Sequence, residues 1–360
     1  MRTGPEGTSG DSGGTLTRSS RGGVAWATRA TAKDVAALAQ VSAQTVSRVA
    51  NGADNVRPET RERVLEAMAK IGYAPNAAAR ALRSGGSTTI GLVAHHLSRT
   101  GEAHIVEAVA AVAEKHGYSV ALAAAPDGSV AALNQAIRRL QQGMAGVVVL
   151  GLETTDLDRL DVPARLPVVI ADSRASQWPS VGFDQAGGAQ LAVAHLLSLG
   201  HRTVHLVGGP RESVQAQQRE QGWRAALEAA GRPVPPVEYG DWTPGSGYAA
   251  GRRLAEMAEL SAVFVANDEM AAGLLRALYE AGRRIPHDVS VVGFDDLLAE
   301  YLWPPMTSVH QDFTRIGEAL VQLLIAHMPS DDPRATLPAD LPRVIPARLE
   351  LRASSGPAPA

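Results

Sequence analysis

Five side chains of this sequence combine residue types that bind hydroxyl-rich molecules. Asp172, Asn267 and Asp295 each come at the end of an apolar run typical of a buried strand. Arg219 lies beyond a further run of this kind, and Trp242 lies in a turn-rich segment. Carboxylates and amides hydrogen-bond to neighbouring hydroxyls, a guanidinium pairs with two of them, and an indole face stacks on a pyranose ring. Together these residue types favour a sugar site.

Each of these residues also has a purely structural interpretation. An Asp or Asn after a strand often caps the next helix, and Asp268 is expected to cap the helix that contains MAAGLLRALYEAG. For any one residue alone, capping is the simpler interpretation. The sugar site is favoured because the residues would converge at the carboxyl edge of parallel strands.

The elements that would position these side chains alternate along the chain. Helical patterns such as 107–116 and 190–199 separate the apolar runs. The runs are TTIGLVA, YSVALAA, GVVVLG, PVVIAD, TVHLVGG, AVFVAN and VSVVGFD. This alternation predicts an α/β body with parallel sheets covered by helices.

A second group of residues could read DNA. In the segment from Thr31 to Asn51, two short helical patterns meet at a tight turn, as in a helix-turn-helix. One face is left polar, and it carries Ala43, Gln44, Ser47 and Arg48. Small residues allow close approach to the major groove, an amide can pair with adenine, and a guanidinium can pair with guanine. The alternative is an amphipathic helix pair with a solvated face.

Three helices are predicted around this face. Thr31 with Asp34 forms an N-cap pair, Ser42 starts the second helix, and Pro58 lies in the first turn of a third. The apolar positions expected to face a shared core are Val35, Leu38, Ala39, Val46, Val49, Ala50, Val64, Leu65, Met68 and Ile71. Residues 29–83 carry nine Lys/Arg and five Asp/Glu, a net charge of +4, whereas the whole chain carries −3. A basic module on an acidic body suits phosphate binding by one end of the protein.

Composition bounds the class of protein. With 360 residues, of which 45% are hydrophobic, the chain can hold more than one domain. It lacks both a run of about 18 apolar residues and an N-terminal secretion signal, so we expect a cytoplasmic protein that does not bind membranes. It has no cysteine, which excludes disulfides and thiolate nucleophiles. Residues 1–29 and 353–360 have too little apolar content to fold and are predicted to be disordered tails.

Enzyme classes are disfavoured. The sequence has no phosphate-cradling G-x-x-x-x-G-K-[ST] motif and no G-x-G-x-x-G after a strand. His201 and His205 favour a loop donor and a strand residue over a metal pair. We therefore predict no catalytic residue, no cofactor and no metal.

The string DVAALAQVSAQTVSRVANG, followed by TRERVLEAMAKIGYAPN, resembles the DNA-binding domain of the lac repressor family of bacterial regulators. The body resembles the same family at QQREQGW, YGDW, VANDEMAAG, VSVVGFDD and TSVHQDF. Gln40 departs from the pattern, because family members usually have glycine in this turn. A left-handed conformation there would cost Gln40 roughly 1 kcal/mol.

The resemblance implies a helix-turn-helix domain over 30–75, a hinge helix and linker over 76–88, and a core over 89–352. The core is similar to periplasmic sugar-binding proteins. Its first subdomain would comprise 89–184 and 313–340, and its second 185–312 and 341–352. In the family the hinge helix inserts a leucine into the minor groove, and Leu82 matches that residue.

The resemblance also completes two sets of site residues. The predicted DNA-contacting residues are Lys33, Ser42, Ala43, Gln44, Thr45, Ser47, Arg48, Asn51, Asn55 and Leu82. The predicted effector-binding residues are His95, Asp172, Arg219, Trp242, Asn267, Asp295 and Phe313.

The expected protein is a homodimeric repressor of carbohydrate-utilisation genes that a sugar releases from operator DNA. A galactoside is the first expectation, by resemblance. Two alternatives remain: a regulator that uses another metabolite as corepressor, and a sugar-binding transport protein. No heptad helix follows Arg352, so a dimer is expected rather than a tetramer.

Overall fold

The structure is a computed structural model that describes residues 30–50, 56–73, 87–95, 97–126, 128–150, 157–174, 177–329 and 341–359. It divides into two compact units, of which the first ends at Asn76 and the second begins at Ala77. Each unit has a hydrophobic core of its own. The predicted N-terminal tail, the predicted hinge helix and residues Asn51, Asn55 and Leu82 lie outside the described residues.

The first unit contains the three predicted helices. They are α1 (Ala32–Ala39), α2 (Ala43–Ala50) and α3 (Pro58–Lys70). The predicted starts are confirmed. The Thr31 amide donates to Asp34 Oδ2 at 2.7 Å while Thr31 Oγ1 accepts from the Asp34 amide. Ser42 Oγ accepts from the Thr45 amide at 3.1 Å, and Pro58 opens α3.

The core of the first unit differs from the prediction at two leucines. Leu38 is 43% exposed and Leu65 is 51% exposed. Ala36 and Ala67 are buried instead. Because successive residues turn by about 100°, each leucine lies roughly a quarter turn or more from the centre of its buried stripe. A core this small admits only a narrow stripe.

Gln40 adopts the left-handed conformation expected of the turn between α1 and α2, with φ 53° and ψ 48°. Its main-chain N–H bonds back to the carbonyl groups of Ala36 and Ala37, which ends α1. A residue with a Cβ pays for this conformation, so the turn holds strain that glycine would not.

The described part of the second unit forms two sheets of six strands each. The first has the order β11-β5-β4-β3-β1-β2, and the second has the order β12-β10-β9-β8-β6-β7. The first sheet comprises β1 (Thr89–Ala94), β2 (Ser119–Ala124), β3 (Gly146–Val149), β4 (Val168–Ala171), β5 (Ser180–Phe183) and β11 (Val344–Ile345). The second comprises β6 (His205–Gly208), β7 (Glu238–Tyr239), β8 (Ala262–Val265), β9 (Ser290–Asp295), β10 (Thr307–His310) and β12 (Arg348–Glu350).

The sheets are parallel apart from the antiparallel pair of β10 and β12. All seven predicted strands are present. Helices cover both faces of each sheet, and separate hydrophobic clusters lie on each face. The helices are α4 (Thr100–Lys115), α5 (Val130–Leu140), α6 (Gln185–Ser198), α7 (Val214–Ala229), α8 (Pro244–Ala255), α9 (Asp268–Glu280) and α10 (Phe313–His327). In the described ranges, no helix is long and apolar enough to span a bilayer.

Among the described residues, the chain crosses between the two sheets three times. The first crossover follows β5 at Asp184, and the second follows β10 at residues 311–312. The third lies between Ile345 and Arg348, because Val344 and Ile345 pair with β5 of the first sheet. The expectation that residues 341–352 all belong to the second subdomain is therefore wrong for 341–345. A strand of two residues leaves no hydrophobic pattern from which to place it.

The predicted C-terminal disordered tail is also wrong, since residues 353–359 lie ordered against the second sheet. Ser354 is fully buried; its hydroxyl accepts from the Thr307 amide at 2.8 Å and donates to the Val291 carbonyl at 2.6 Å. The Gly356 amide donates to Ser290 Oγ at 3.0 Å. Composition misleads here because polar groups at the amino ends of β9 and β10, rather than apolar side chains, order the segment.

Candidate functional site

The polar face of the first unit lies on α2, as predicted. Ala43, Gln44 and Arg48 are exposed, while Val46 and Val49 on the opposite side are buried. Of the other predicted DNA-contacting residues, Lys33 and Ser42 are exposed and Thr45 and Ser47 are half-buried. The helix therefore presents its small, amide and guanidinium side chains together while its valines anchor it to the core.

The second unit contains a cavity of about 420 Å³ between its two halves. It lies where strands β4, β8 and β9 end, which is the edge at which parallel α/β sheets bind ligands. Six of the seven predicted effector residues line it: Asp172, Arg219, Trp242, Asn267, Asp295 and Phe313. His95 is not among the lining residues. Its amide donates to Glu102 Oε1 at 2.6 Å, and Glu102 does line the cavity.

Arg219 is the buried cation of the site. It projects from α7 and is 6% exposed. Its Nε donates to Gln185 Oε1 at 2.7 Å, its Nη1 donates to the Ala266 carbonyl, and its Nη2 pairs with Asp295 Oδ1 at 3.1 Å. Its Cζ lies 3.8 Å from the centre of the Phe294 ring. A guanidinium has five N–H groups, and these contacts occupy three of them among the described residues.

Two buried carboxyl groups lie near this cation. Burial raises the pKa of Asp295 to about 6, although the Arg219 charge opposes this shift. Burial, together with the nearby Asp295 charge, raises the pKa of Asp268 to about 7. Asp268 faces away from the cavity lining, and its oxygens accept from the Ser308 hydroxyl at 2.7 Å and from the Leu297 amide at 2.7 Å.

The helix cap at this edge is Asn267 rather than the predicted Asp268. Asn267 Oδ1 accepts from the Met270 amide at 3.0 Å at the start of α9. Its Nδ2 donates to the Trp242 carbonyl at 3.1 Å and to Glu269 Oε2 at 2.8 Å. Asp268 is the first helical residue, because the extended Asn267 already precedes the helical turn.

On the other half, Asp172 is held by a neighbouring cation. Arg174 Nε and Nη2 approach both oxygens of Asp172, at 2.9 Å and 2.6 Å to Oδ2. This fork-shaped contact fixes the carboxylate in one orientation and neutralises it. Asp172 is 9% exposed, at the cavity wall.

Aromatic side chains form two walls of the cavity. Phe313, the first residue of α10, meets Phe183 edge to face at a centroid distance of 5.3 Å. Trp242 lies 5.4 Å from Arg219 Cζ and packs over Gly209, where a Cβ would meet the indole ring at 2.4 Å. The buried Trp242 Nε1 has no hydrogen-bond partner among the described residues. A buried donor of this kind is available to an acceptor on a bound molecule.

The backbone is strained at the same place. Trp242 has φ 71°, Asp295 has φ 97° and Asp296 has φ 59°, all in the left-handed region. Such residues cost of order 1–3 kcal/mol each and cluster at ligand sites. The side chains of the two aspartates turn to opposite sides. Asp296 bonds to His310 Nδ1 at 3.0 Å and pairs with Arg352 Nη1 at 2.7 Å, away from Arg219.

Sequence reasoning missed several polar residues that line the cavity. They include Glu102, Gln185, Gln218, Glu269 and Gln311. Gln185 and Gln311 follow β5 and β10, two short strands that the apolar pattern does not reveal. Had those strands been recognised, the rule that relates ligand sites to strand ends would have pointed to both glutamines.

Comparison with known proteins decides the family. Residues 31–76 match bacterial regulatory proteins of the lacI family, and residues 193–355 match a periplasmic binding protein-like domain. The transcriptional regulator CelR of Thermobifida fusca is 38% identical over 314 residues, which cover 82% of this chain and 91% of CelR. The chain belongs to the lacI family of bacterial regulatory proteins.

Solved structures of the lacI family confirm the predicted fold class. The lac repressor dimer bound to operator and the anti-inducer ONPF has a TM-score of 0.78 at 32% identity, covering 91% of this chain and 100% of that one. The CelR–cellobiose complex has a TM-score of 0.65 at 36% identity, with the same coverage. This lacI-family protein is thus a DNA-binding transcriptional regulator, and its relatives are regulators rather than enzymes.

Proposed function

We propose that the cavity binds a neutral sugar as the effector of this regulator, through the six predicted residues that line it. The observation that carries the proposal is the convergence of these residues. The Arg219–Asp295 pair, the Asn267 amide and the Asp172 carboxylate meet there between Trp242 and Phe313. Fixed hydrogen-bonding groups between aromatic faces suit the alternating hydroxyls and C–H faces of a pyranose.

The charges support a neutral ligand over an anionic one. Arg219 is paired with Asp295 and Arg174 with Asp172, and Arg99, which also lines the cavity, lies near the charges of Glu102 and Glu212, so each of these cations already has an acidic neighbour. Glu269 accepts from Asn267, and Glu102 accepts from the His95 amide. A site whose ionic groups are already paired gains more from hydroxyl groups than from another charge.

Two disaccharides are the first candidates. A galactoside is expected from resemblance, and the similarity of the chain to a lactose operon repressor supports testing lactose. CelR, a relative of this chain, has been solved with cellobiose. We expect one of these β-linked disaccharides, or a closely related sugar, to bind.

We infer that the first unit reads operator DNA through α2, with Gln44 and Arg48 as the base-reading side chains. Lys33, Ser42, Ala43, Thr45 and Ser47 lie on or beside this face. Asn51, Asn55 and Leu82 complete the proposed set from outside the described residues. The regulator acts in the cytoplasm as a homodimer on a pseudo-palindromic operator, and sugar binding weakens its hold on DNA. A tetramer in sedimentation at micromolar concentration would contradict the dimer.

A thermal-shift screen of free mono- and disaccharides, including lactose and cellobiose, tests the effector site. A ligand that binds only the folded state raises the melting temperature by mass action. At a hundredfold excess over Kd, the free energy of unfolding increases by about 2.7 kcal/mol. Arg219→Ala should abolish the shift, whereas Arg224→Ala, an exposed arginine on the same helix, should retain it. A shift that survives Arg219→Ala would refute the assignment of the cavity.

A further inference from the structure

Two glutamine side chains join the first and second crossovers beside Arg219. Gln185 opens α6 directly after the first crossover, and Gln311 begins the second. Gln311 Nε2 donates to Gln185 Oε1 at 3.3 Å, and the same oxygen accepts from Arg219 Nε at 2.7 Å. Gln185 is 7% exposed and Gln311 is 3% exposed. One buried oxygen thus links both crossovers to the cation of the cavity.

The two crossovers have the same local geometry. Asp184 has φ −76° and ψ 81°, and Asp312 has φ −81° and ψ 86°. Each caps the helix that follows, by accepting from the Gly187 amide at 2.8 Å and from the Arg315 amide at 2.9 Å. These angles lie near the inverse γ-turn, outside helix and strand. Residues at the ends of elements are those that absorb a change in backbone angle when two halves of a protein close.

Arg219 cannot change its orientation without affecting this link. Its Nη2 is fixed by Asp295, its Nη1 by the Ala266 carbonyl and its Nε by Gln185, so all three guanidinium nitrogens are hydrogen-bonded. An amide oxygen has two lone pairs, and Arg219 and Gln311 engage those of Gln185. In a buried network of this kind, a change at one bond alters the strength of the next.

We propose that Gln185 and Gln311 are positioning residues that form a clasp between the two crossovers, and that the clasp relays occupancy of the cavity from Arg219 to the angle between the two halves of the core. The relay rests on the proposed function, because it takes the cavity as the effector site. The clasp itself is a property of the protein without ligand and can be tested without any sugar.

Hydrogen–deuterium exchange of the full-length protein tests the clasp. Gln185→Met and Gln311→Met keep the side-chain length and remove the amide, and Gln322→Met, an exposed position on α10, is the matched control. Each clasp variant should raise exchange about tenfold in amides 183–188 and also in amides 311–316, including the crossover that is not substituted. The control should leave both segments at the wild-type rate.

An increase confined to the substituted crossover, or no increase at either, would overturn the clasp. Should a methionine variant fail to fold, Gln311→Asn keeps the amide but shortens its reach by one methylene group. The same effect on the distant crossover is then expected. Unchanged exchange at 183–188 in Gln311→Asn would count against the proposal in the same way.

The relay is tested by single-molecule energy transfer. Because the chain has no cysteine, Glu114→Cys on α4 and Glu228→Cys on α7 place one dye on each half at exposed positions. Gln311→Met should broaden the distribution without sugar and reduce the shift caused by lactose or cellobiose at least twofold. A full shift in that variant would refute the relay. If neither sugar shifts the wild type, the proposed function fails for these sugars, while the exchange rates and the width of the distribution still decide the clasp.

Discussion

Asp268→Asn should change the pH dependence of stability of the second unit. Asp268 is fully buried, and burial raises its pKa to about 7 from an ordinary value of 3.8. The folded state therefore holds this proton more tightly than the unfolded chain does. The resulting stabilisation is present at low pH and is lost as pH rises through about 7.

The magnitude follows from the shift. A displacement of one pKa unit corresponds to about 1.36 kcal/mol, so Asp268 contributes about 2–3 kcal/mol at pH 5 and almost nothing at pH 8. Asparagine has no such proton. It can still accept from the Leu297 amide through its oxygen and face Ser308 with its amide group, so the site stays hydrogen-bonded. The free energy of unfolding of Asp268→Asn, relative to that of wild type, should therefore rise by about 2–3 kcal/mol between pH 5 and pH 8.

The assay is urea unfolding monitored by tryptophan fluorescence at unit steps from pH 5 to pH 8. Four of the five tryptophans, Trp178, Trp223, Trp242 and Trp303, lie in the second unit. The difference between variant and wild type is the decisive quantity, because burial lowers the pKa of His201 and other histidines and opposes the trend in wild type alone.

Asp288→Asn is the matched control for this measurement. Its half-buried carboxylate lies beside Arg284, and hydrogen bonds from Arg284 hold its pKa well below the usual range. Its stability difference from wild type should therefore stay constant between pH 5 and pH 8. A constant difference for Asp268→Asn as well would refute the inference that Asp268 is protonated in the folded protein near neutral pH.

Three further substitutions test the DNA-binding unit. Gln40→Gly should stabilise that unit by about 1 kcal/mol, since glycine adopts φ 53° without strain; a lower melting temperature would contradict this. Arg48→Ala should reduce the DNA-binding free energy by about 1–3 kcal/mol and relax specificity at one base pair. A uniform loss of affinity across operator variants in gel-shift titrations would instead mean that Arg48 contacts phosphate. Leu82→Ala should weaken specific but not non-specific binding, and equal operator affinity to wild type would reject the minor-groove wedge.

The sequence was sufficient where a pattern is long enough to repeat. Seven strands lie within recognised apolar runs, and the capping box of α1 and Pro58 at the start of α3 signal those two helices directly. Strands β7 and β11, with two residues each, leave no such pattern, and neither does the ordered segment after Arg352. Those elements form because hydrogen-bonding groups at the sheet edges need partners, which only the assembled sheet defines.

The same limit explains which site residues were found. Asp172 and Asp295 end recognised strands, so their convergence could be inferred from topology. Gln185 and Gln311 lie at crossovers, and their contact depends on how the two sheets are joined. The prediction that Leu38 and Leu65 are buried was wrong for a related reason, because hydrophobicity alone does not give the width of the buried stripe on a helix.

Asn267 shows that capping and lining a cavity are not alternatives. Where a parallel strand leads into a helix, the residue that caps the helix stands at the carboxyl edge of the sheet and therefore at the cavity wall. An amide has two ends: Oδ1 accepts from Met270, and Nδ2 is left to donate to the Trp242 carbonyl and Glu269. The cap bond fixes the rotamer, so the amide and the Glu269 carboxylate that it holds at the cavity wall are already oriented before any ligand arrives. An aspartate would cap equally well but would turn a second carboxylate oxygen toward Glu269, which is why the amide, and not merely a good capping residue, suits this position.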